Sequence, residues 1–84
     1  MSETQQIHVT IKSPETVHFD GQVKALTATN EKGTFDILAM HENFISIINT
    51  EIVLHLNDKD EKKVKIEKGI IKCLDNKVQI FLGI

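Results

Sequence analysis

Four histidines, one cysteine and a few hydroxyls are the residues of this chain that could do chemistry. His8, His18, His41 and His55 show no i,i+4 pair of the kind that holds zinc on a helix, and Cys73 has no second cysteine with which to bind a metal or close a disulfide. His41-Glu42 sets an imidazole beside a carboxylate, the raw material of acid–base catalysis. Neighbours on a strand point to opposite faces, so this pair would not share a substrate, and a surface turn is the plainer reading. Cys73 follows Lys72, whose ammonium would favour a thiolate if it lay alongside. The same alternation sends Lys72 to the other face and puts Cys73 in phase with Ile71, as a buried, inert thiol. Ser13 and Ser46 lack the Gly-x-Ser-x-Gly frame of a hydrolase nucleophile. The four glycines are isolated and form no phosphate cradle. No catalytic, cofactor-binding or metal-ligating residue is assigned, and no cofactor is expected.

Composition narrows the partners. The chain has 84 residues and a net charge of -2, and all ten of its basic residues are lysine. That charge argues against a nucleic-acid partner, which requires a basic face to displace counterions. Arginine, tryptophan and tyrosine are absent, and four phenylalanines supply the aromatic surface. A chain of this length is one domain, 1–84, and it buries roughly 60–65% of its unfolded surface. A lone cysteine and a polar start, MSETQQ, fit a cytosolic chain without a signal peptide. The apolar runs fall short of the roughly 20 residues that a membrane helix requires, so no direct membrane insertion is expected.

The elements that must position these residues have a period of two. Ile7, Val9 and Ile11 alternate with polar neighbours up to Pro14. Val17 and Phe19 follow, closed by Asp20-Gly21 as a turn signal. Val23 and Ala25, then Phe35 and Ile37 after the Asn30–Gly33 loop, continue the pattern, and Gly33 suits a positive φ. Phe44–Leu56 reads as two strands broken near Asn49-Thr50. Asn57–Lys63 is a charged tip. Val64 and Ile66 precede a break at Gly69, and Asp75-Asn76 is a tight turn before Val78, Ile80 and Leu82. The expected fold is all-β, an antiparallel β-sandwich or flattened barrel of about 8–10 short strands. Its predicted interior is Ile7, Val9, Ile11, Val17, Phe19, Val23, Phe35, Ile37, Val64, Ile66, Val78 and Ile80. Phe44-Ile45, Ile47-Ile48, Ile52–Leu54 and Ile70-Ile71 are apolar on both phases. One core cannot absorb both, so part of that surface must meet a partner, a second copy of the chain, or solvent.

Three blocks carry a family resemblance. HVTIKSPETVHFDGQVKAL has a strand, a Ser13-Pro14-Glu15 turn, Val17 and Phe19, then Gly21-x-Val23. NEKGTFDILAMHENFIS places Gly33, Phe35, Ile37, Leu38, His41 and Phe44 in order, and IEKGIIKCLDNKVQIFL supplies a closing strand pair around Asp75-Asn76. In this order and spacing, the chain resembles the epsilon subunit of rotary F-type ATP synthases, called delta in mitochondria, over its N-terminal β-sandwich. It departs where the family often has Pro-Gly before the histidine and Ala-Pro after it. Here those places hold Ala39-Met40 and Glu42-Asn43.

The resemblance implies a non-catalytic subunit of the central stalk, a rotor part and not an enzyme by itself. It would link the gamma subunit to the membrane rotor ring of a proton- or sodium-translocating synthase, as a peripheral subunit on the cytoplasmic face of the membrane. It further implies a gamma interface at Ser13, Leu38, Ala39, Met40, His41 and Phe44, and a ring interface at Asn30, Glu31, Lys32 and Gly33. The family's inhibitory C-terminal helical hairpin is missing from these 84 residues, so the chain is expected to leave ATP hydrolysis unrestrained. The alternative is a free-standing β-sandwich interaction module unrelated to ATP synthesis.

Overall fold

The computed structural model describes residues 6–83, and its regular structure is all β. Seven strands run in order: β1 (Ile7–Lys12), β2 (Val17–Val23), β3 (Ala25–Asn30), β4 (Gly33–Leu38), β5 (Phe44–His55), β6 (Glu61–Leu74) and β7 (Lys77–Leu82). They lie side by side as β2-β1-β7-β6-β5-β3-β4. The all-β architecture expected from the alternation is present. Two details are corrected. The described residues form seven longer strands instead of 8–10 short ones, and β1 and β7 pair in parallel while the other neighbours are antiparallel.

The strand count differs because three expected breaks are not breaks. Asp20-Gly21 lies inside β2, where Gly21 faces Val9 in the ladder. β5 runs through Asn49-Thr50, and β6 runs through Gly69. At those two places the chain changes layer. β7 pairs only with Gly69–Leu74 of β6, and β3 pairs only with Asn49–His55 of β5. The first half of β5 and the second half of β6 therefore join β7, β1 and β2 in one layer. The remaining halves join β3 and β4 in the other.

Bulges make the layer change compatible with one core. Asn49 pairs with Lys68 and Thr50 with Ile66, which leaves Glu67 without a partner. One extra residue inverts the phase of a strand. Before it, Val64 and Ile66 pack against the core; after it, Gly69, Ile71 and Cys73 are buried. The adjacent apolar pair Ile70-Ile71 is thus split between faces. Gly69 is required by space. A Cβ there would stand 2.8 Å from Leu82 Cδ2 and 3.0 Å from the Phe81 carbonyl oxygen.

The core holds Ile7, Val9, Ile11, Val23, Ile37, Val78 and Ile80 as expected, together with Leu26, Ala28, Ile48, Ile52, Leu54, Ile71 and Cys73. Each fully buried aliphatic of this size contributes roughly 1.5–3 kcal/mol. Phe19, Phe35, Val64 and Ile66 are partly buried against it. Val17 is a correction, because it is 60% exposed. Ile11 pairs with Phe19 but Lys12 pairs with Val17, so His18 is bulged out of β2. Val17 therefore loses the phase of Phe19 and joins Lys12 on the outside.

Candidate protein interface

After Leu38 the chain must leave β4 and reach the start of β5. It turns sharply: the His41 N–H donates to the Leu38 carbonyl at 3.1 Å, and Met40 sits at φ 70°. A left-handed residue in the third place of a four-residue turn is the position that glycine suits best. For a residue with a Cβ it costs about 1–2 kcal/mol.

Contacts from across the molecule hold the turn in that shape. The Met40 N–H donates to Asn76 Oδ1 at 2.6 Å, and Asn76 Nδ2 lies 3.8 Å from Met40 Sδ. The Asp75 N–H donates to Asn43 Oδ1 at 2.9 Å. Asp75 and Asn76 themselves have φ of 52° and 66°, the two positive values of a type I′ hairpin between β6 and β7. The His8 N–H adds a bond to the Asn76 carbonyl at 3.0 Å. Two turns far apart in sequence thus brace each other.

His41 belongs to this brace. Its Nδ1 is 2.7 Å from the Glu42 carbonyl oxygen, which can only accept, so Nδ1 carries the proton. Its ring lies 5.1 Å from that of Phe44, and Phe44 meets Phe35 edge to face at 5.6 Å. Around this fixed turn the apolar side chains are bare: Leu38 is 56% exposed, Met40 76% and Leu74 46%. Apolar side chains on a rigid support, rimmed by amides, are the makings of a protein contact.

The structure brings Leu38, Ala39, Met40, His41 and Phe44 into one connection. Ser13 is not with them. It lies past the far end of β1 from His8, in the Ser13–Thr16 turn, with its Oγ 3.1 Å from His18 Nε2. Asn30, Glu31, Lys32 and Gly33 form the β3–β4 hairpin tip. There Asn30 Oδ1 accepts from the Lys32 N–H at 2.9 Å, and Gly33 takes a φ of 123°. Asn43, Leu74 and Asn76 are contributors that alternation does not single out. Asp75-Asn76 is legible as a turn, but nothing in the sequence says that it meets Met40.

Some of the other titratable groups join strand to strand. A row on the outside of the β3–β4 layer links Asp36, Thr27, His55 and Glu61. Thr27 gives its hydroxyl proton to Asp36 at 2.6 Å, so His55 Nε2, 2.8 Å away, donates to Thr27 Oγ1. Glu61 stands 3.7 Å from His55 Nδ1. Cys73 is buried, and desolvation, with a smaller push from the Asp75 carboxylate, raises its thiol above the usual range. Among the described residues no group of three or more His, Cys, Asp or Glu could hold a metal.

By fold, this sandwich resembles chains seen in rotary ATP synthases. A chain of the Euglena gracilis mitochondrial ATP synthase OSCP/F1/c-ring assembly superposes with a TM-score of 0.85 at 20% identity, over 92% of this chain and 50% of that one. A chain of the Tetrahymena thermophila mitochondrial ATP synthase central stalk and c-ring superposes with a TM-score of 0.75 at 12% identity, over 96% of this chain and 66% of that one. Likeness at these identities concerns the fold.

The sequence is more specific. Residues 6–82 match the family described as ATP synthase, Delta/Epsilon chain, beta-sandwich domain, and this chain belongs to that family. Its relatives include the ATP synthase epsilon chain of a Sulfurovum species, 34% identical over 80% of this chain and 53% of the relative. The epsilon chain of Clostridium botulinum is 32% identical over 84% and 54%. That of Leptospira borgpetersenii is 27% identical over 89% and 59%. The chain therefore spans 53–59% of the length of these curated relatives.

Proposed function

We propose that this sandwich is a non-catalytic rotor subunit of a proton- or sodium-translocating ATP synthase. It links the gamma subunit to the membrane rotor ring on the cytoplasmic face of the membrane. The observation that carries this reading is the apolar rim of Leu38 and Met40 on a turn braced by Asn76. It stands in a chain whose family is the ATP synthase delta/epsilon sandwich. A torque-transmitting link requires a stiff contact, and the double brace supplies stiffness where the rim is bare. Gamma docks on Leu38, Ala39, Met40, His41 and Phe44. Ser13, in the turn at the far end of β1, makes a separate contact with gamma.

The ring meets the hairpin tip Asn30–Gly33, whose exposed Glu31 and Lys32 suit rim-type charge pairs. No helix among the described residues is long and apolar enough to cross a membrane, and the reading requires none. The test is a Glu31→Cys variant assembled into the synthase of its own source and oxidised. A disulfide or short cross-link to an engineered loop cysteine of the ring subunit is the expected result. A complex that contains the chain but never cross-links at this site overturns the ring placement. A chain that never enters the complex overturns the rotor reading in favour of a free-standing interaction module.

A further inference from the structure

Met40 is one of two methionines in the chain, and the other, Met1, lies outside the described residues. On the rim it is barer than either Leu38 or Leu74. Its φ of 70° gives a side chain to a position that glycine suits better. The Met40 N–H can only donate, so the Asn76 atom that it meets at 2.6 Å is the amide oxygen. That bond fixes the orientation of the amide. Its NH2 group is left facing the sulfur, with Nδ2 3.8 Å from Sδ.

A thioether is a weak acceptor, whereas oxidation to the sulfoxide makes the side chain polar. The contact as it stands is therefore slight, and it becomes a full hydrogen bond once the sulfur carries an oxygen. Asn76 is not free to turn away. Its Oδ1 is engaged by Met40 itself. Its backbone sits at φ 66° in the β6–β7 turn, and its carbonyl accepts from the His8 N–H. A donor is thus fixed beside an exposed, oxidisable atom on the rim.

We propose that Met40 is a site of reversible oxidation by peroxides, at which Asn76 Nδ2 captures the sulfoxide oxygen and the rim loses an apolar side chain. A lone pair of Sδ attacks one oxygen of hydrogen peroxide. The S–O bond forms as the O–O bond breaks, and the sulfur loses two electrons. The leaving oxygen takes up the proton of the transferred one and departs as water. Methionine sulfoxide reductases reverse the change. The oxidised side chain folds back on the turn, and a polar group stands where the thioether stood. The brace between the two turns is kept while the apolar surface is not, which separates this event from general oxidative damage. Its consequence for gamma rests on the rotor reading: unassembled, oxidised chain docks poorly, and docked chain is shielded from peroxide.

The test treats the isotopically labelled full chain with hydrogen peroxide and follows peptide masses, side-chain amide resonances and urea unfolding. Met40 should gain an oxygen atom as readily as methionine in an unstructured peptide, and Met40→Leu should lack that gain. The Asn76 Nδ2 protons should move downfield. The urea midpoint of the parent chain should hold or rise on oxidation. Asn76→Asp keeps an oxygen for the Met40 N–H and sets a second oxygen against the sulfur, so there oxidation should lower the midpoint. An unmoved Asn76 amide, an equal response of the two proteins, or oxidation much slower than in the peptide overturns the proposal. A second arm adds the gamma subunit. Oxidation should weaken its binding by about tenfold or more, and methionine sulfoxide reductase should restore it. Undiminished binding of the oxidised chain overturns the loss of the rim. Absence of binding by the untreated chain overturns the rotor reading instead, and the gamma-free arm still decides the oxidation site.

Discussion

Met40 carries the conformational cost of the candidate interface. Its φ of 70° suits glycine, and at 76% exposure its side chain has little packing to lose. Met40→Gly should stabilise the domain by about 1 kcal/mol, since relief of the left-handed strain outweighs the extra entropy of an unfolded glycine. Urea unfolding measures this; a loss of stability would show that the Asn76–Met40 sulfur contact outweighs the strain. Cys73 has the opposite character, hidden and held neutral. Its thiol should react with a disulfide reagent only as fast as the domain opens, and rapid labelling of the native chain would contradict its burial. Because the folded thiol is raised, the unfolded thiol ionises first as pH rises. The thiol's contribution to stability should thus be flat below the ordinary thiol value of about 8.5 and fall above it. Cys73→Ala should abolish that contribution to the slope, and an unchanged slope would assign it to other groups.

At the scale of elements, the strands that keep one phase are the ones that alternation reveals. β1 buries Ile7, Val9 and Ile11, and β7 buries Val78 and Ile80, as their patterns require. Bulges at His18 and Glu67 break the pattern without any turn-forming residue to announce them. That is why alternation places Val17 inside, whereas β6 reads as two strands because Gly69 signals a break that the ladder does not make. Asp20-Gly21 misled in the other direction. The dipeptide favours a hairpin, but here Asp20 bonds His8 at 2.6 Å and the ladder continues through it. The Leu38–Phe44 connection was legible because its residues are local. Its brace was not, because Met40 and Asn76 are 36 positions apart. Gly69 is the sharpest test of the layer change. Gly69→Ala should cost about 1–3 kcal/mol, since Leu82 can swing aside but the Phe81 carbonyl belongs to the paired β7 backbone. A neutral Gly69→Ala would mean that the layers pass each other with more room than the contact at Leu82 allows.

For the whole molecule, one arrangement accounts for both the apolar excess and the choice of partner surface. Two long strands pass from layer to layer. Their adjacent apolar pairs are divided between a common core and the bare β5 edge, and the end of β4 with the connection that follows it adds a second bare region, the Leu38–Met40 rim. Contiguous bare apolar side chains on a small domain are the kind of surface on which protein contacts form. The central claim is that the rim is what gamma holds. Isothermal titration of the full chain with the gamma subunit of its own source tests this most directly. Binding should appear at micromolar concentration or below, and should weaken by about tenfold or more in Leu38→Asp and in Met40→Asp, as truncation at an interface anchor does. Absence of binding at micromolar concentration, or variants that bind as well as the parent chain, would contradict it.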